Sequence, residues 1–159
     1  MRVAFGFDAH RLGGSPPLIL GGVVVDPSVG VEAWSDGDVV GHAVTDAVLG
    51  VAGLGDIGAF FPSGDERWKG ADSMAMLAEA VAKAGERGFQ VAFADVTVVA
   101  GAVRVAPYRE QIRTRLAAVL GVDEGRVSVK ATTTDGLGFI GRGEGVAAVA
   151  VVTAVRSGP

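Results

Sequence analysis

Residues 146–155 read Val-Ala-Ala-Val-Ala-Val-Val-Thr-Ala-Val, an apolar run broken only by Thr153. It is too short for the roughly 20 residues a helix needs to cross a bilayer. Its valines favour the pleated, packed environment of a buried strand. Such a strand needs an apolar partner on each face, so the other elements must supply cover.

The rest of the chain supplies it in an alternating order. Residues 3–10 predict a strand, and 17–25, with Gly21-Gly22 inside, a hairpin. Ser35-Asp36-Gly37-Asp38 starts a helix over 39–50, since Ser and Asp accept from free N–H groups at a helix start. Its packing stripe is Val40, Ala43, Val44, Ala47 and Val48, with His42, Thr45 and Asp46 facing elsewhere. Residues 55–70 read as loop, 73–88 as helix and 89–100 as strand. A helix from Pro107 to Gly121 and strands at 126–131 and 145–155 complete the order. The predicted architecture is α+β: a mixed sheet with helices on one face and a small hairpin, in a single domain over 1–159. The far sheet face still carries Val and Ala, and another subunit is its simplest cover.

Composition narrows the classes. The formal charge of −4 and the lack of a basic stripe argue against a nucleic-acid partner. There is no cysteine, hence no disulfide, thiolate metal site or thiol nucleophile. Asp8 and His10 fall where an export signal would need an apolar run, so a cytoplasmic protein without membrane association is expected.

The only two histidines, His10 and His42, both sit beside carboxylates. Asp8 and His10 are two apart on a predicted strand and share a face. His42 lies four residues after Asp38 and four before Asp46 on a predicted helix. Asp8, His10 and His42 could converge on one ion, a mixed N/O set with one position open, as in catalytic zinc sites; Asp38 and Asp46 would then support them from behind. The same spacings also fit imidazoles that are surface or hydrogen-bonded core groups.

A second polar cluster, Thr132-Thr133-Thr134-Asp135-Gly136, follows the strand at 126–131. Three hydroxyls and free N–H groups at a strand end can hold phosphate oxygens, with a divalent cation between them and Asp135. An ordinary Thr-rich turn is the other reading. Arg142 and Glu144 either share one face of an extended segment or form a surface ion pair. No P-loop, nucleophile elbow or dinucleotide fingerprint is present, and covalent catalysis is not expected.

Taken together, Gly6-Phe7-Asp8-Ala9-His10, Ser35-Asp36-Gly37-Asp38, His42 to Asp46, Gly55-Asp56-Ile57-Gly58, Phe61-Pro62, Lys69-Gly70-Ala71-Asp72-Ser73, Lys130 to Thr134 and Gly141-Arg142-Gly143-Glu144-Gly145 closely resemble the 2-C-methyl-D-erythritol 2,4-cyclodiphosphate synthase family of the non-mevalonate isoprenoid pathway. The resemblance covers nearly the whole chain. It implies a homotrimer of α+β subunits, each a four-stranded sandwich of the ferredoxin-like or chorismate-mutase-like kind, with active sites between neighbours.

By the same resemblance, Asp8, His10 and His42 would bind Zn2+, and Thr132, Thr133, Thr134 and Asp135 would hold phosphates and Mg2+ or Mn2+. Thr133 would be catalytic. Ser35, Asp56, Ile57, Gly58, Phe61, Pro62, Ser63, Gly64 and Asp65 would contact the substrate, while Ala100, Gly101, Ala102, Val103, Arg104, Val105 and Ala106 would lie on its cytidine. Phe139 and Arg142 would line the phosphates and a central channel that holds an isoprenoid diphosphate in some members.

The implied reaction is a lyase step. The 2-phosphate of 4-diphosphocytidyl-2-C-methyl-D-erythritol 2-phosphate attacks the β-phosphorus and CMP leaves. The nucleophile belongs to the substrate, which suits a chain without one of its own.

Five positions depart from the family pattern: Ser63 for Asp, Val103 for Pro, Arg104 for Lys, Asp135 for Glu and Trp34 for a catalytic histidine. Indole has one N–H donor and no charge, and loss of a preorganised donor to developing charge typically costs roughly a hundredfold in rate. Two expectations follow: an active synthase, or a weak or inactive relative that binds metal, cytidine nucleotide or isoprenoid diphosphate.

Overall fold

A computed structural model describes residues 1–156; the last three residues of the expected domain lie outside the described range. Strand β1 (Arg2–Arg11) is followed by a hairpin, β2 (Leu18–Leu20) and β3 (Val23–Asp26), then helices α1 (Val39–Ala52), α2 (Ile57–Phe60) and α3 (Ser73–Glu86). Next come β4 (Phe89–Ala100), α4 (Arg109–Leu120), β5 (Val127–Thr132), α5 (Gly138–Gly141) and β6 (Gly145–Arg156).

The long apolar run is the second strand of a four-stranded sheet ordered β1-β6-β4-β5. It pairs antiparallel with β1 and β4, while β4 and β5 are parallel. Strands β1, β4 and β5 therefore point the same way, with β6 reversed between β1 and β4. The expected mixed sheet with a separate two-stranded hairpin is what forms.

Alternation along each strand decides which face is covered. Val146, Ala148, Ala150, Val152 and Ala154 of β6, and Ala94, Val96 and Val98 of β4, are fully buried beneath the helices. Val149, Val151 and Thr153 are only half-buried on the other face. At its edge Val3, Phe5 and Phe7 are 67%, 63% and 53% exposed. This chain leaves an aromatic and aliphatic sheet face in solvent.

Helix α1 is the centre of the core. A single apolar stripe is predicted, yet twelve of its fourteen residues are buried. The sheet lies on one side and α3 and the hairpin on others, so the helix needs apolar residues nearly all round. Thr45, expected to look away from the core, is fully buried and donates its hydroxyl to the Gly41 carbonyl at 2.7 Å.

Two glycines allow the close packing. A Cβ at Gly6 of β1 would stand 1.9 Å from the carbonyl oxygen of Ala43, and one at Gly41 would stand 2.9 Å from the Ser73 side chain. Helix α1 thus meets β1 backbone to backbone at Gly6 and takes the Ser73 and Met74 side chains of α3 directly against Gly41, next to His42. Asp38 fixes the helix start. Its carboxylate accepts from Val40 and Gly41 N–H at 3.0 and 2.9 Å, and from the hairpin's Gly21 and Gly22 N–H at 2.8 and 2.7 Å.

Three segments differ from the sequence reading. Pro107 lies in a 3-10 turn, Ala106–Tyr108, and the α-helix begins only at Arg109. Residues 55–70 contain α2 and a 3-10 turn, Glu66–Trp68, whose starts are capped by Asp56 and Asp65. The segment carrying Arg142 is not extended: it follows α5 and reverses at Gly143, at φ 72°. Among the described residues no helix is long and apolar enough to cross a membrane.

Candidate functional site

The β1–α1 contact sets the distance between the two histidines. Asp8 and His10 project on the Gly6 side of β1, and α1, drawn close at Gly6, places His42 over them. Oδ2 of Asp8 lies 2.8 Å from His42 Nδ1 and 3.1 Å from His10 Nε2, and the two nitrogens are 3.2 Å apart. Ligand atoms around a tetrahedral zinc, with bonds near 2.0–2.1 Å, stand roughly 3.3 Å from one another. The three atoms are close to that triangle, so these residues fit a metal ion. Two neutral imidazoles and one carboxylate are an ordinary donor set for such a site.

Electrostatics agree with the geometry. Burial pushes the Asp8 carboxyl up, but hydrogen bonds and charge interactions with His10 and His42 outweigh it and hold Asp8 well below the usual carboxylate range. Burial pulls His42 down, while the bond to Asp8 and the charges of Asp8, Asp38 and Asp36 lift it above its ordinary value. A permanent negative charge beside two imidazoles attracts protons or a metal cation.

The far edge of the His42 ring is held by serines. Nε2 lies 2.9 Å from Ser73 Oγ and 3.0 Å from Ser35 Oγ. The Ser73 hydroxyl donates to Asp36, whose other oxygen accepts from Ser73 N–H at 2.8 Å. With Ser73's proton turned toward Asp36, its lone pair faces the imidazole, so Nε2 donates to Ser73. Nδ1 faces the acceptor-only Asp8 carboxylate at 2.8 Å and becomes available to a metal when the proton it shares there leaves. Sequence reasoning missed Ser73 and this use of Asp36. In sequence Ser73 reads as a helix start within the family-like stretch Lys69–Ser73, with no link to His42, and the packing of α3 on α1 gives it this second role.

Asp38 and Asp46, expected to support the ligands, make other hydrogen bonds. Asp38 holds backbone N–H groups of α1 and the hairpin. Asp46 Oδ1 accepts from Ile57 N–H at 2.7 Å and so ties α2 to α1. That bond brings Ile57 and Gly58 to the metal site. A cavity of about 230 Å³ is lined by Asp8, His10, Trp34, Ser35, His42, Ile57, Gly58, Phe61, Ser63, Trp68 and Met76. Trp68 stands edge-on to Phe61, ring centroids 4.8 Å apart. Trp68 stands out in sequence as an aromatic among the charges of Asp65, Glu66, Arg67 and Lys69, though with no role attached, while nothing in the sequence points to Met76.

A second cleft, about 240 Å³, joins Ala100, Gly101, Val103, Arg104, Val105 and Ala106 to Thr132 and Thr133. The two segments anticipated from the resemblance thus meet at the ends of β4 and β5. Gly101 lies under α5: a Cβ there would stand 2.5 Å from the Ile140 carbonyl oxygen. Of the three threonine hydroxyls, Thr134 donates to Leu137 O at 2.6 Å, and Thr133 Oγ1 lies 3.2 Å from Asp135 Oδ1. Thr133 and Asp135 are exposed, and Asp135 adopts the left-handed φ of 52°. Phe139 sits apart from this cleft, beside Ala9, His10, Arg11 and Glu144. Arg142 forms a two-pronged pair with Glu144 at 2.6 and 3.2 Å, the surface-pair alternative.

The two clefts do not meet within one chain. His10 pairs with Val146, which pairs with Ala100; Val99 pairs with Thr132. The triad and the threonines therefore lie at the same end of the sheet but on opposite edge strands, three strand spacings or about 14 Å apart.

Comparison with known proteins places this geometry. The YgbB family model matches residues 1–155. A 2-C-methyl-D-erythritol 2,4-cyclodiphosphate synthase from Erwinia tasmaniensis is 49% identical over 157 residues, 99% of this chain and all of that protein. One from Moorella thermoacetica is 51% identical over 152 residues, covering 96% and 93%. Among solved structures, a bifunctional IspDF from Campylobacter jejuni superposes with a TM-score of 0.94 at 44% identity, over 97% of this chain and 42% of that one. An IspF from Plasmodium falciparum, solved as a CDP complex, gives 0.85 at 29% identity over 99% and 97%. With a family model spanning almost every residue and synthases half-identical along their length, the chain belongs to the YgbB family, the 2-C-methyl-D-erythritol 2,4-cyclodiphosphate synthases.

Proposed function

We propose that this chain closes 4-diphosphocytidyl-2-C-methyl-D-erythritol 2-phosphate into 2-C-methyl-D-erythritol 2,4-cyclodiphosphate and releases CMP. A 2-phosphate oxygen forms a bond to the β-phosphorus, and the bond from that phosphorus to the oxygen bridging to CMP breaks. The carrying observation is the Asp8–His10–His42 triangle opening into a cavity walled by Ile57, Gly58 and Phe61. An inactive relative has only the Trp34 exchange behind it, against full-length similarity to named synthases.

In this reading Asp8, His10 and His42 hold zinc, which when bound supplies positive charge to phosphoryl oxygens. Ser35 and Ser73 lock the His42 ring. Ile57, Gly58 and Phe61 hold the methylerythritol part, with Ser63, Gly64, Asp65, Asp56 and Pro62 on the adjoining loop. The 100–106 segment holds cytidine, Thr132 and Thr133 orient phosphates, and exposed Asp135 takes magnesium or manganese. The protein's contribution is position and charge, because substrate provides both nucleophile and leaving group.

The 14 Å between the half-sites supports a trimer: the β5 edge of one copy beside the β1 edge of the next joins them. The exposed Val3, Phe5 and Phe7 face supports the same assembly. An isoprenoid diphosphate in the central channel belongs to this proposal, with Phe139 and Arg142 facing it. So do a single domain, a cysteine-free chain suited to a reducing cytoplasm, and a ferredoxin-like or chorismate-mutase-like sandwich, supported by β6 lying between co-directed β1 and β4.

The test is CMP release by the purified protein with this substrate, zinc and magnesium. Stoichiometric CMP and cyclodiphosphate are expected. Absence of CMP with a zinc-loaded, folded protein overturns the reading.

A further inference from the structure

We infer that Trp34, at the position where a histidine donor to phosphate was anticipated, is a positioning residue that latches the 61–70 substrate loop. An indole carries a single N–H donor, and that of Trp34 is given to the Asp65 carbonyl at 3.0 Å. It has none left for a phosphate oxygen.

The contacts of Trp34 converge on the loop. Its carbonyl accepts from Gly70 N–H at 2.8 Å, five residues beyond the side-chain contact. Lys69 Nζ lies 5.5 Å from the ring centroid, within cation–π range. One residue therefore holds the loop at residues 65, 69 and 70. Between those anchors Asp65 closes the 3-10 turn by accepting from Arg67 N–H at 3.0 Å, which presents Trp68 edge-on to Phe61. On the cavity side Trp34 shares the wall with Phe61, Ser63 and Trp68. Loop order, and with it substrate affinity, depends on the indole N–H; the chemical step does not.

This rests on the synthase reading, so the test is chosen to separate the two. Trp34→Phe keeps an aromatic ring and removes the donor. Loss of one such hydrogen bond corresponds to about a three- to tenfold change in an equilibrium. We expect KM for the diphosphocytidyl substrate to rise by about that factor, with kcat and zinc content unchanged. Backbone amides of 62–69 in the substrate-free variant should exchange faster by a similar factor. A roughly hundredfold fall in kcat with unchanged KM and unchanged loop exchange would make Trp34 a phosphate donor and overturn the inference. Unaltered exchange together with unaltered KM overturns it as well. If the wild type itself releases no CMP, the synthase reading fails, and the exchange comparison still decides the latch.

Discussion

Ser73 Oγ lies 2.9 Å from His42 Nε2, on the ring edge opposite Asp8. The imidazole is therefore gripped on both sides, by an acceptor chain through Ser73 to Asp36 and by the carboxylate of Asp8. Partners behind a metal-bound histidine typically carry 10- to 100-fold in affinity. Ser73→Ala should weaken zinc binding by about that factor while leaving thermal unfolding of the zinc-free protein within a few degrees. A competition titration against a chelator measures it, and unchanged affinity removes Ser73 from the site.

Gly6 and Ala43 set the depth of the α1–β1 contact. A methyl group at Gly6 would stand 1.9 Å from a backbone oxygen, and backbone cannot swing aside as a side chain can. Gly6→Ala should destabilise by about 1–3 kcal/mol or more and lower zinc affinity together, because helix and strand separate where the ligands meet. Denaturant unfolding alongside metal titration checks both; loss of stability with intact zinc affinity would uncouple them.

Burial pushes the Asp38 carboxyl up to about 6, against the Gly41, Gly21 and Gly22 N–H bonds that favour its charge. A raised folded value means the native state keeps this proton where the unfolded chain has lost it. Its stabilising contribution is full below the ordinary value of 3.8 and is lost as pH rises through about 6. The stability difference between wild type and Asp38→Asn should therefore fall between pH 4 and 6, on the order of 2–3 kcal/mol, then level off. A flat difference across that window would show that Asp38 does not titrate there.

His42 is lifted above 6.5: burial opposes the charge, but the Asp8 contact prevails. Zinc must displace that proton. Its affinity should drop about tenfold per pH unit once pH falls below the raised His42 value. Isothermal titration across a pH series in buffers of different ionisation heat should show proton release on zinc binding that grows as pH falls. Release that does not change with pH would show that His42 holds no such proton.

Most of the framework was legible in sequence because its signals are local. The apolar run at 146–155, the glycine hairpin and the capping residues Asp38 and Gly121 mark elements that form where expected. The convergence of Asp8, His10 and His42 was legible for the same reason, since i, i+2 on a strand puts Asp8 and His10 on one face. What escaped depends on packing between distant elements. Ser73 meets His42 only because Gly41 lets α3 touch α1, and Asp46 meets Ile57 rather than a histidine because α2 folds back on α1. Trp34 illustrates the limit of family likeness: the resemblance implies a histidine donor there, but the indole N–H finds the Asp65 carbonyl.

The most direct measurement is anomalous diffraction at the zinc edge from crystals grown with zinc. The account predicts one peak per chain bonded to Asp8 Oδ2, His10 Nε2 and His42 Nδ1, absent from Asp8→Ala crystals. Zinc bound elsewhere, or a site that persists without the Asp8 carboxylate, would contradict it.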